Sequence, residues 1–469
     1  MKVLNIKKSI FGSNAYRLDA KPYLSSGNIV LSKLQKSKYE LTNISYFAED
    51  IFYGGRDKRY YVNNVINGIP FMGISDMLKN NLFSLKLISK KLTRNLENYL
   101  LDTGWILISR SGTIGNTIYS NEFHKGKAAS EHIIRIKPKK NVYSGYLYAY
   151  LSSKYGYNLL TKGTFGAVIQ HIEPDFVKDI PIPLFPETEQ QKIHGLIMEA
   201  ADLRVEANKL LKGANKYLYD LLNLEELTND DYEYFGNHVA NREVSTYSIS
   251  IKEINANTIN AFNYSRRIKR ITNIITSKSY LNLKDCLLDN GYFSTGSFKR
   301  LEVNSDNGIK LLNQSDIFNS IKVGKNLSKR AVGNVKLVEY GEVLIAGVGT
   351  LGEGETFCRT IFANEELEKQ LVSGEFIRLK TNESVPSGYL YCWLASDYGF
   401  RLIRSTQSGT KLCRPIPNLL KEIPVPVLES DQMLKIDTEI KTAYTNLYLA
   451  TTKENQAIDL IEKEIDAWQ

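Results

Sequence analysis

The stretch SGYLYAYLSSKYGY at residues 144–157 returns as SGYLYCWLASDYGF at residues 387–400, an offset of 243 positions. The same offset separates IPIP at 180–183 from IPVP at 423–426. A chain that repeats itself over such a distance is built from copies of one structural unit. The sequence therefore predicts a duplication, and the two copies can be compared position by position.

Two further matches lie upstream in the same order. LISRSGTIG at 107–115 matches LIAGVGTLG at 344–352, and LDAKPY at 18–23 faintly matches INAFNY at 259–264. The offsets drift by only a few residues, which indicates insertions in loops rather than a chance likeness.

Each copy has the same predicted order of elements. A first stretch mixes short β-branched and aromatic runs with Gly, Asn and Asp, which is typical of strands and turns. A short helix follows, at 146–160 in the first copy and 389–403 in the second. A Gly-Thr loop then leads to the I-P-x-P segment, which ends the domain because proline fixes an extended backbone.

A long helix completes each copy, at about 187–222 and about 430–468. In the first helix, apolar residues recur at steps of three and four, the seam of a coiled coil rather than the broader stripe of a surface helix. Small residues at one of the two seam positions favour a close helix pair. The predicted seam consists of Ile193, Leu196, Ala200, Leu203, Ala207, Leu210, Ala214, Tyr217 and Leu221.

The second helix has the same spacing with one irregularity. Its apolar residues are Met433, Ile436, Ile440, Ala443, Leu447, Ala450, Ile458, Ile461, Ile465 and Trp468. Counting Glu454 as the missing member gives a stutter, which locally unwinds a supercoil. We expect the two helices, each on the order of 50–55 Å long, to pair within one chain. The alternative is that each packs on its own domain.

The composition narrows the possible classes of protein but does not select one of them. Lys and Arg number 60 against 51 Asp and Glu, a formal charge of +9, which fits a polyanionic partner but is also common without one. The four cysteines have no C-x-x-C spacing and predict buried, reduced thiols of a cytoplasmic protein. The sequence has neither a run of about 18 apolar residues nor the apolar core of a signal peptide. We therefore expect that the chain does not span a membrane and is not secreted.

One stretch imitates a cofactor loop. GVGTLG at 347–352 matches G-x-G-x-x-G and follows a strand-like run. The residues after it form no amphipathic helix that could hold a phosphate, and the other copy has Arg110 at the place of Gly347. A tight β-turn between two strands is the favoured interpretation, so we expect no cofactor in this chain.

Catalytic and metal-binding patterns are missing as well. The five histidines have no metal-ligand spacing, and no Asn-Pro-Pro-aromatic motif, paired-carboxylate nuclease signature or framed Ser or Cys nucleophile is present. We expect neither a catalytic residue nor a metal site.

Basic residues interleaved with aromatics and amides are typical of nucleic-acid contacts. Each such cluster could also be an ordinary solvated face, but the hairpin glycines and the Gly-Thr loops occur at matching places in both copies. The basic runs at 137–140 and 266–270 could equally be surface charge. The candidate DNA-binding residues are Arg56, Lys58, Arg59, Arg110, Ser111, Lys162, Thr164, Gln170, His171, Lys299, Arg300, Lys329, Arg330, Thr410, Lys411 and Arg414.

The repeat resembles the specificity subunit of type I restriction-modification systems over nearly the whole chain. The twin Gly-Thr loops and I-P-x-P segments each lead into a helix, which opens PETEQQKI at 186–193 and LESDQMLKI at 428–436. Both openings are similar to the family's helix opening, in which a proline is followed by Glu-Gln and then by an isoleucine. The second departs from it, with Asp431 and Gln432 for Glu-Gln and Leu428 opposite Pro186.

The resemblance implies an α+β fold with a pseudo-twofold internal repeat, in which two long antiparallel coiled-coil helices separate two β-rich target-recognition domains. The expected segments are target-recognition domain 1 at 1–185, spacer helix 1 at 186–223, a linker at 224–258, target-recognition domain 2 at 259–427 and spacer helix 2 at 428–469.

The resemblance also implies a function without catalysis. Each domain of such a subunit reads one half of a split double-stranded DNA site, two methylation subunits dock on it, and a translocating restriction subunit can join. Adenosylmethionine belongs to the methylation subunit, and the expected location is the bacterial or archaeal cytoplasm.

Three alternatives remain open at this stage. The same unit could serve another restriction-like defence system, or residues 347–352 could bind adenosylmethionine or NAD in a standalone enzyme. A coiled-coil scaffold without nucleic acid is the third, although it leaves the two loop-bearing domains unexplained.

Overall fold

A computed structural model describes residues 25–62, 64–80, 82, 85–162, 164, 171–228, 246–304 and 308–468. The repeat match at 18–23 lies outside the described residues. The chain divides into two compact units. Residues up to Val205 form the first unit together with the segment from Leu449 onward, and Glu206–Tyr448 form the second.

The first unit is built from short strands, with helices near its beginning and its end. Its elements are α1 (Ser26–Leu34), β1 (Leu41–Asn43), α2 (Ile44–Phe47), β2 (Ala48–Phe52), β3 (Tyr61–Val62), β4 (Gly68–Met72), α3 (Ile74–Met77), β5 (Lys86–Ser89), a 3-10 turn (Leu96–Tyr99), β6 (Ile106–Ser109), β7 (Thr117–Tyr119), β8 (Ala128–Ala129), β9 (Ile133–Pro138), α4 (Ser144–Ser152), α5 (Lys154–Lys162), α6 (Pro174–Lys178), β10 (Pro181–Pro183) and the start of α7 (Glu187–Leu222).

Two four-stranded sheets form the body of the first unit. One is antiparallel with the order β2-β9-β6-β7, and the other has the order β3-β5-β4-β8, in which β4 and β8 are parallel. Ile106 and Ile108 of β6 face the helical layer, while Leu107 between them packs with Met72 next to the second sheet. Since β6 is covered on both faces, its sequence is a continuous apolar run rather than an alternating one.

The second unit begins within α7 and has corresponding elements. They are 3-10 turns (Ile251–Glu253, Ala261–Tyr264 and Leu283–Cys286), α8 (Arg266–Thr276), β11 (Tyr280–Asn282), β12 (Leu287–Phe293), β13 (Gly308–Leu312), α9 (Gln314–Ile317), β14 (Lys325–Ser328), α10 (Lys329–Val332), β15 (Val343–Ala346), β16 (Thr360–Phe362), β17 (Leu371–Val372), β18 (Phe376–Thr381), α11 (Ser387–Ala395), α12 (Asp397–Arg404), β19 (Gln407–Ser408), β20 (Arg414–Pro415), α13 (Pro417–Leu420), β21 (Pro424–Pro426) and the start of α14 (Ser430–Asp466).

The strand orders of the second unit match those of the first, except that β3 has no counterpart among the described strands of the second unit. An antiparallel sheet runs β12-β18-β15-β16, and a second sheet runs β14-β13-β17 with β13 and β17 parallel. The I-P-x-P segments are the strands β10 and β21, which pair with β1 and β11 respectively.

The repeated SGYLY stretch is joined to the I-P-x-P strand by hydrogen bonds from its aromatic residues. In the first unit, the Tyr146 hydroxyl donates to the carbonyl oxygen of Pro183 at 2.5 Å. In the second, the Tyr389 hydroxyl donates to the carbonyl oxygen of Pro426 at 2.8 Å. These tyrosines are fully buried, so each bond satisfies two polar groups inside a core.

The single short helix predicted in each copy is wrong, because the structure divides it into two. Ser153 has extended backbone between α4 and α5, and its hydroxyl accepts from the amide of Gly156 at 3.3 Å. Ser396 does the same between α11 and α12, accepting from Gly399 at 3.1 Å. A serine side chain that caps a new helix competes with continuation of the old one.

The connection after β15 also differs from the prediction. A tight turn was expected at 347–352, but β15 and β16 are separated by all of residues 347–359. Within this segment, the amide of Gly349 donates to the carbonyl oxygen of Cys413 at 3.2 Å. The carbonyl oxygen of Gly349 accepts from the amide of Cys413 at 2.7 Å. The chain forms this bridge to Cys413 before it enters β16, so the segment is longer than a tight turn.

The four cysteines are buried and unbridged, as their spacing predicted. The long helix α7 has the predicted bounds, and α14 ends at Asp466, two residues before the predicted end.

The buried residues of α7 differ in part from the predicted seam. Ile193, Ala200, Ala207 and Ala214 are buried, but the alternate predicted positions Leu196, Leu203, Leu210, Tyr217 and Leu221 are only half-buried. The other buried residues of this helix are Ile197, Ala201, Asn208, Leu218 and Leu222. An α-helix has 3.6 residues per turn, so its buried face drifts from a strict seven-residue repeat.

The buried face of α14 follows the prediction more closely. Ile436, Ile440, Ala443, Leu447, Ile461 and Ile465 are buried, whereas Ala457 takes the place expected for Ile458. Glu454 is itself buried, and its carboxylate pairs with Arg204 of α7 within the first unit.

Candidate nucleic-acid interface

Three exposed basic residues lie on the loop between β2 and β3. Arg56, Lys58 and Arg59 are all exposed residues, although the guanidinium of Arg59 pairs with Glu131. The buried Tyr99 holds this loop, since its hydroxyl donates to the carbonyl oxygen of Gly55 at 2.8 Å. Burial, together with the neighbouring Asp57 carboxylate, raises the pKa of Tyr99 to about 12. The hydroxyl is therefore a neutral, permanent donor that fixes the loop at its base.

A second group, which we call the histidine cluster, consists of Arg110, Ser111, His132 and His171. The Ser111 hydroxyl lies 2.7 Å from His132 Nδ1, and the His132 and His171 rings stack with centroids 6.5 Å apart. The backbone of Arg110 links the segments that carry the two histidines. Its amide donates to the carbonyl oxygen of His132 at 2.8 Å, and its carbonyl oxygen accepts from the amide of Ile172, next to His171, at 3.2 Å. Three distant chain segments thus meet at one point.

Arg110 is placed inside the cluster rather than on its surface. Its side chain is 1% exposed and pairs with Glu173, and its guanidinium stacks on the Tyr53 ring at 4.3 Å. Arg110 therefore offers no exposed guanidinium to DNA in this conformation. Ser111 is likewise buried and bonded to His132.

The first loop and the histidine cluster share one electrostatic environment. The pKa of His171 is lowered by burial and then by the positive charges of Arg110, His132 and Arg56. Arg59 reaches the same region through Glu131, which also lies 3.3 Å from His132 Nε2. The structure therefore brings together the predicted clusters at 56–59 and 110–111, and His171.

The Gly-Thr loop of the first unit is described only in part. Lys162 ends α5 beside Gly27 and is half-buried, and its pKa is lowered by that burial. Thr164 is buried. Gln170 lies outside the described residues.

Sequence reasoning named Lys58 as a candidate but missed Lys86 of β5 and Lys90 directly after that strand. Lys58 lies 5.2 Å from the ring centroid of Tyr60, and Lys86 of β5 lies 5.7 Å from that of Tyr61. Both tyrosines are exposed, and Lys90 follows at the end of β5. The run KLISKK at 86–91, with three lysines around an apolar pair, was the available signal. Basic side chains beside exposed rings suit a phosphate backbone with stacked bases.

In the second unit, two predicted clusters lie side by side. Lys299 and Arg300 are exposed, as are Lys329 and Arg330 of α10. The amide of Ser328 donates to the carbonyl oxygen of Leu301 at 2.8 Å, which makes the two basic pairs neighbours across a backbone contact.

The third cluster of this unit is the tip of a hairpin. β19 and β20 pair antiparallel, and the loop between them exposes Thr410 and Lys411, with Arg414 exposed on β20. Gly409 has a φ of +107°, which an L side chain rarely adopts. Cys413, which is buried, anchors the loop to Gly349.

The glycines at 347–352 serve close packing. The amide of Gly347 donates to the carbonyl oxygen of Glu375 at 3.0 Å, and a Cβ atom at position 347 would lie 2.7 Å from that oxygen. At the matching place in the first unit, the amide of Arg110 donates to His132. Each of these two amides therefore donates a hydrogen bond within its own unit.

Two further properties concern the residues that the structure describes. No group of three or more His, Cys, Asp or Glu side chains in this part of the chain is placed to hold a metal ion. Among the helices in the described ranges, none combines the length and the apolar character needed to cross a membrane.

Part of the chain is similar to a known protein family. The family model described as type I restriction modification DNA specificity domain matches residues 45–214. This stretch, less than half of the chain, is therefore similar to the DNA specificity domain of type I restriction-modification systems.

Solved structures with low sequence identity also align with the chain. The S subunit of a type I restriction-modification system from M. genitalium is 13% identical, with 92% of this chain and 96% of that chain covered and a TM-score of 0.35. The HsdS subunit from Thermoanaerobacter tengcongensis is 12% identical, with 92% and 97% covered and a TM-score of 0.29. No curated protein sequence matches the chain.

Proposed function

We propose that the two units each read one half of an asymmetric, bipartite site in double-stranded DNA. The observation that carries the proposal is the shared plan of the units. Both have an antiparallel four-stranded sheet of the same order and a second sheet with one parallel pair of strands. Both also expose basic side chains, at 56, 58 and 59 in the first unit and at 299–300, 329–330, 411 and 414 in the second. The loop sequences differ between the copies, so the two half-sites should differ too.

The contacts divide into two kinds on chemical grounds. Lys and Arg side chains bind phosphates regardless of sequence and give salt-dependent affinity, whereas Arg, Thr and amide groups in the major groove discriminate bases. We assign Lys58, Lys86 and Lys299 to the phosphates. Thr410, Lys411 and Arg414 are the best candidates for base contacts, because a hairpin tip can enter a groove.

In this proposal the chain positions other subunits and performs no chemistry. Two methylation subunits, which carry the adenosylmethionine, dock on it, and a translocating restriction subunit joins them in a restricting complex. The helices α7 and α14 form an antiparallel spacer with pseudo-twofold symmetry, and their length sets the gap between the half-sites. The proposed location is the cytoplasm. The resemblance of both helix openings and the family match over 45–214 support this assignment.

The test is selection of bound DNA from a randomised library by the chain assembled with its methylation subunit. We expect two unlike half-sites separated by a fixed gap of unspecified bases. Recovery of two identical half-sites, or of no enriched sequence, would contradict the proposal.

A further inference from the structure

A buried ion pair joins the two long helices within the first unit. Arg204 of α7 and Glu454 of α14 are only 13% and 12% exposed. The guanidinium binds the carboxylate with two nitrogens, Nη2 to Oε2 at 2.5 Å and Nε to Oε1 at 3.4 Å. Burial raises the pKa of the Tyr148 hydroxyl, and the negative charge of Glu454 raises it further. Such a pair contributes little net stability in place of apolar residues but is costly to break, so another role has to explain it.

The pairing of the helices can be followed in each unit. In the first, Lys453 Nζ lies 2.7 Å from Glu199 Oε2. In the second, a Cβ atom on Gly213 would lie 3.9 Å from Glu439 Oε2, and Lys435 Nζ lies 4.0 Å from the ring centroid of Tyr217. From Gly213 to Tyr217, α7 advances by four residues, whereas the contacts on α14 go back by four, from Glu439 to Lys435. The two helices therefore run antiparallel.

The repeat gives the equivalent positions of the two helices. The amide of Gly145 donates to His194 Nδ1 at 3.0 Å, and that of Gly388 donates to Asp437 Oδ1 at 2.8 Å. Since both the donor and the acceptor are shifted by 243 residues, the helices keep the offset of the domains. Position 204 of α7 therefore corresponds to 447 of α14, and 454 corresponds to 211.

Those equivalent positions hold leucines. Leu447 is buried in the apolar core of the second unit, and Leu211 packs against the same core. The two symmetry-related places on the helix pair are thus charged in the first unit and apolar in the second. Sequence divergence has left a polar contact at one place only.

We infer that the Arg204–Glu454 pair specifies that α7 pairs with α14 and not with a second copy of itself. If the α7 helices of two chains paired in the same register, Arg204 of each would face Leu211 of the other. If two α14 helices paired, Glu454 would face Leu447. Each self-pair would bury two charges without a counter-ion, which disfavours it. A buried polar contact that selects partner and register is well established in helix pairs.

The test compares full-length variants for their association after unfolding and refolding. In Arg204→Leu/Glu454→Leu, self-pairing no longer buries a charge, so we expect the dimer association constant to rise about tenfold or more, measured by sedimentation velocity. The matched control, Glu199→Leu/Lys453→Leu, removes an ion pair that is 58% and 35% exposed across the same helices, and it should leave association unchanged.

A charge-reversed variant keeps the inference testable if the double leucine variant fails to fold. Arg204→Glu/Glu454→Arg preserves the pair within the chain, and self-pairing would still place a charge against Leu211 or Leu447, so it should remain as monomeric as the original protein. The inference is overturned if the double leucine variant shows no increase in association, or if the charge-reversed variant dimerises as readily. It does not depend on DNA binding.

Discussion

The indole nitrogen of Trp393 donates a hydrogen bond to the carbonyl oxygen of Pro424 across 3.1 Å. In the first unit, the Tyr150 hydroxyl makes the equivalent bond to Pro181 at 2.7 Å. Two different side chains thus satisfy the same backbone carbonyl of the I-P-x-P strand. This bond, rather than the identity of the ring, is what the repeat preserves.

Replacing the donor should therefore destabilise either unit. Trp393→Phe leaves the buried carbonyl of Pro424 without a partner, and we expect a loss of about 1–3 kcal/mol in the free energy of unfolding, measured by urea denaturation. Tyr150→Phe should show a similar loss. Tyr157→Phe alters an exposed ring and serves as the control. Equal stabilities for all three variants would show that the bond contributes nothing.

The paired glycines of the helix junctions give a second prediction. A Cβ atom at Gly399 would lie 2.1 Å from the carbonyl oxygen of Trp393, and one at Gly156 would lie 2.2 Å from that of Tyr150. Alanine at either position must move one helix, so we expect a loss of about 3 kcal/mol or more.

The matched control lies on α7. Nothing is within 4 Å of a Cβ atom at Gly195, so Gly195→Ala should raise stability by about 0.5–1 kcal/mol through helix propensity. If the two junction variants were as stable as Gly195→Ala, the close crossing of α4 with α5 and of α11 with α12 would be disproved.

A third prediction concerns pH. Burial, reinforced by the positive charges of Lys127 and Arg204, lowers the pKa of His124 from 6.5 to about 3. The unfolded chain therefore binds a proton that the folded chain rejects. Stability is fully present above about pH 6.5 and falls as the pH drops toward 3, by about 1.4 kcal/mol per pH unit.

Urea unfolding of the protein and of His124→Gln at several pH values isolates this contribution. Between about pH 7 and about pH 5, the protein should lose up to about 2 kcal/mol more stability than the variant. Parallel pH profiles for the two proteins would mean that His124 is not responsible.

The fold was predictable where the signal is local or repeated. The bounds of α7 follow from apolar periodicity and the proline before it, and the two-unit plan follows from the offset of 243 residues. The break at Ser153 was missed because its sequence suits both a continuing helix and a helix cap. The hydrogen bond to Gly156 decides between them, and it depends on how tightly the two helices cross.

The candidate site was less predictable, because it depends on contacts far apart in the chain. The sequence around Arg110 does not reveal that Glu173 and Tyr53 enclose its guanidinium. Lys86 was missed because its place beside Tyr61 depends on the pairing of β3 with β5. The exposure of Thr410, Lys411 and Arg414 was easier to predict, because a polar Gly-Thr loop is exposed by its own local geometry.

The proposed spacer predicts a change in the gap between half-sites. Seven residues inserted into α7 lengthen it by about 10 Å, equivalent to about 3 base pairs, so the selected sites should show a different gap or binding should fail. The same seven residues inserted into the coil at 246–250 should leave the gap unchanged. A gap unaffected by the α7 insertion would show that the helix is not the spacer.

The most direct test of the two-unit account is the methylated motif in cells that express the chain with its methylation subunit. Arg56→Ala/Lys58→Ala alters only the first unit, and Thr410→Ala/Lys411→Ala alters only the second, with the exposed Lys178→Ala as the control. Genome-wide sequencing of methylated adenines should show that each double variant relaxes or weakens recognition in one half of the motif, a different half for each, while the control keeps the motif intact. Changes in the same half for both variants, or an unaltered motif in both, would contradict the account.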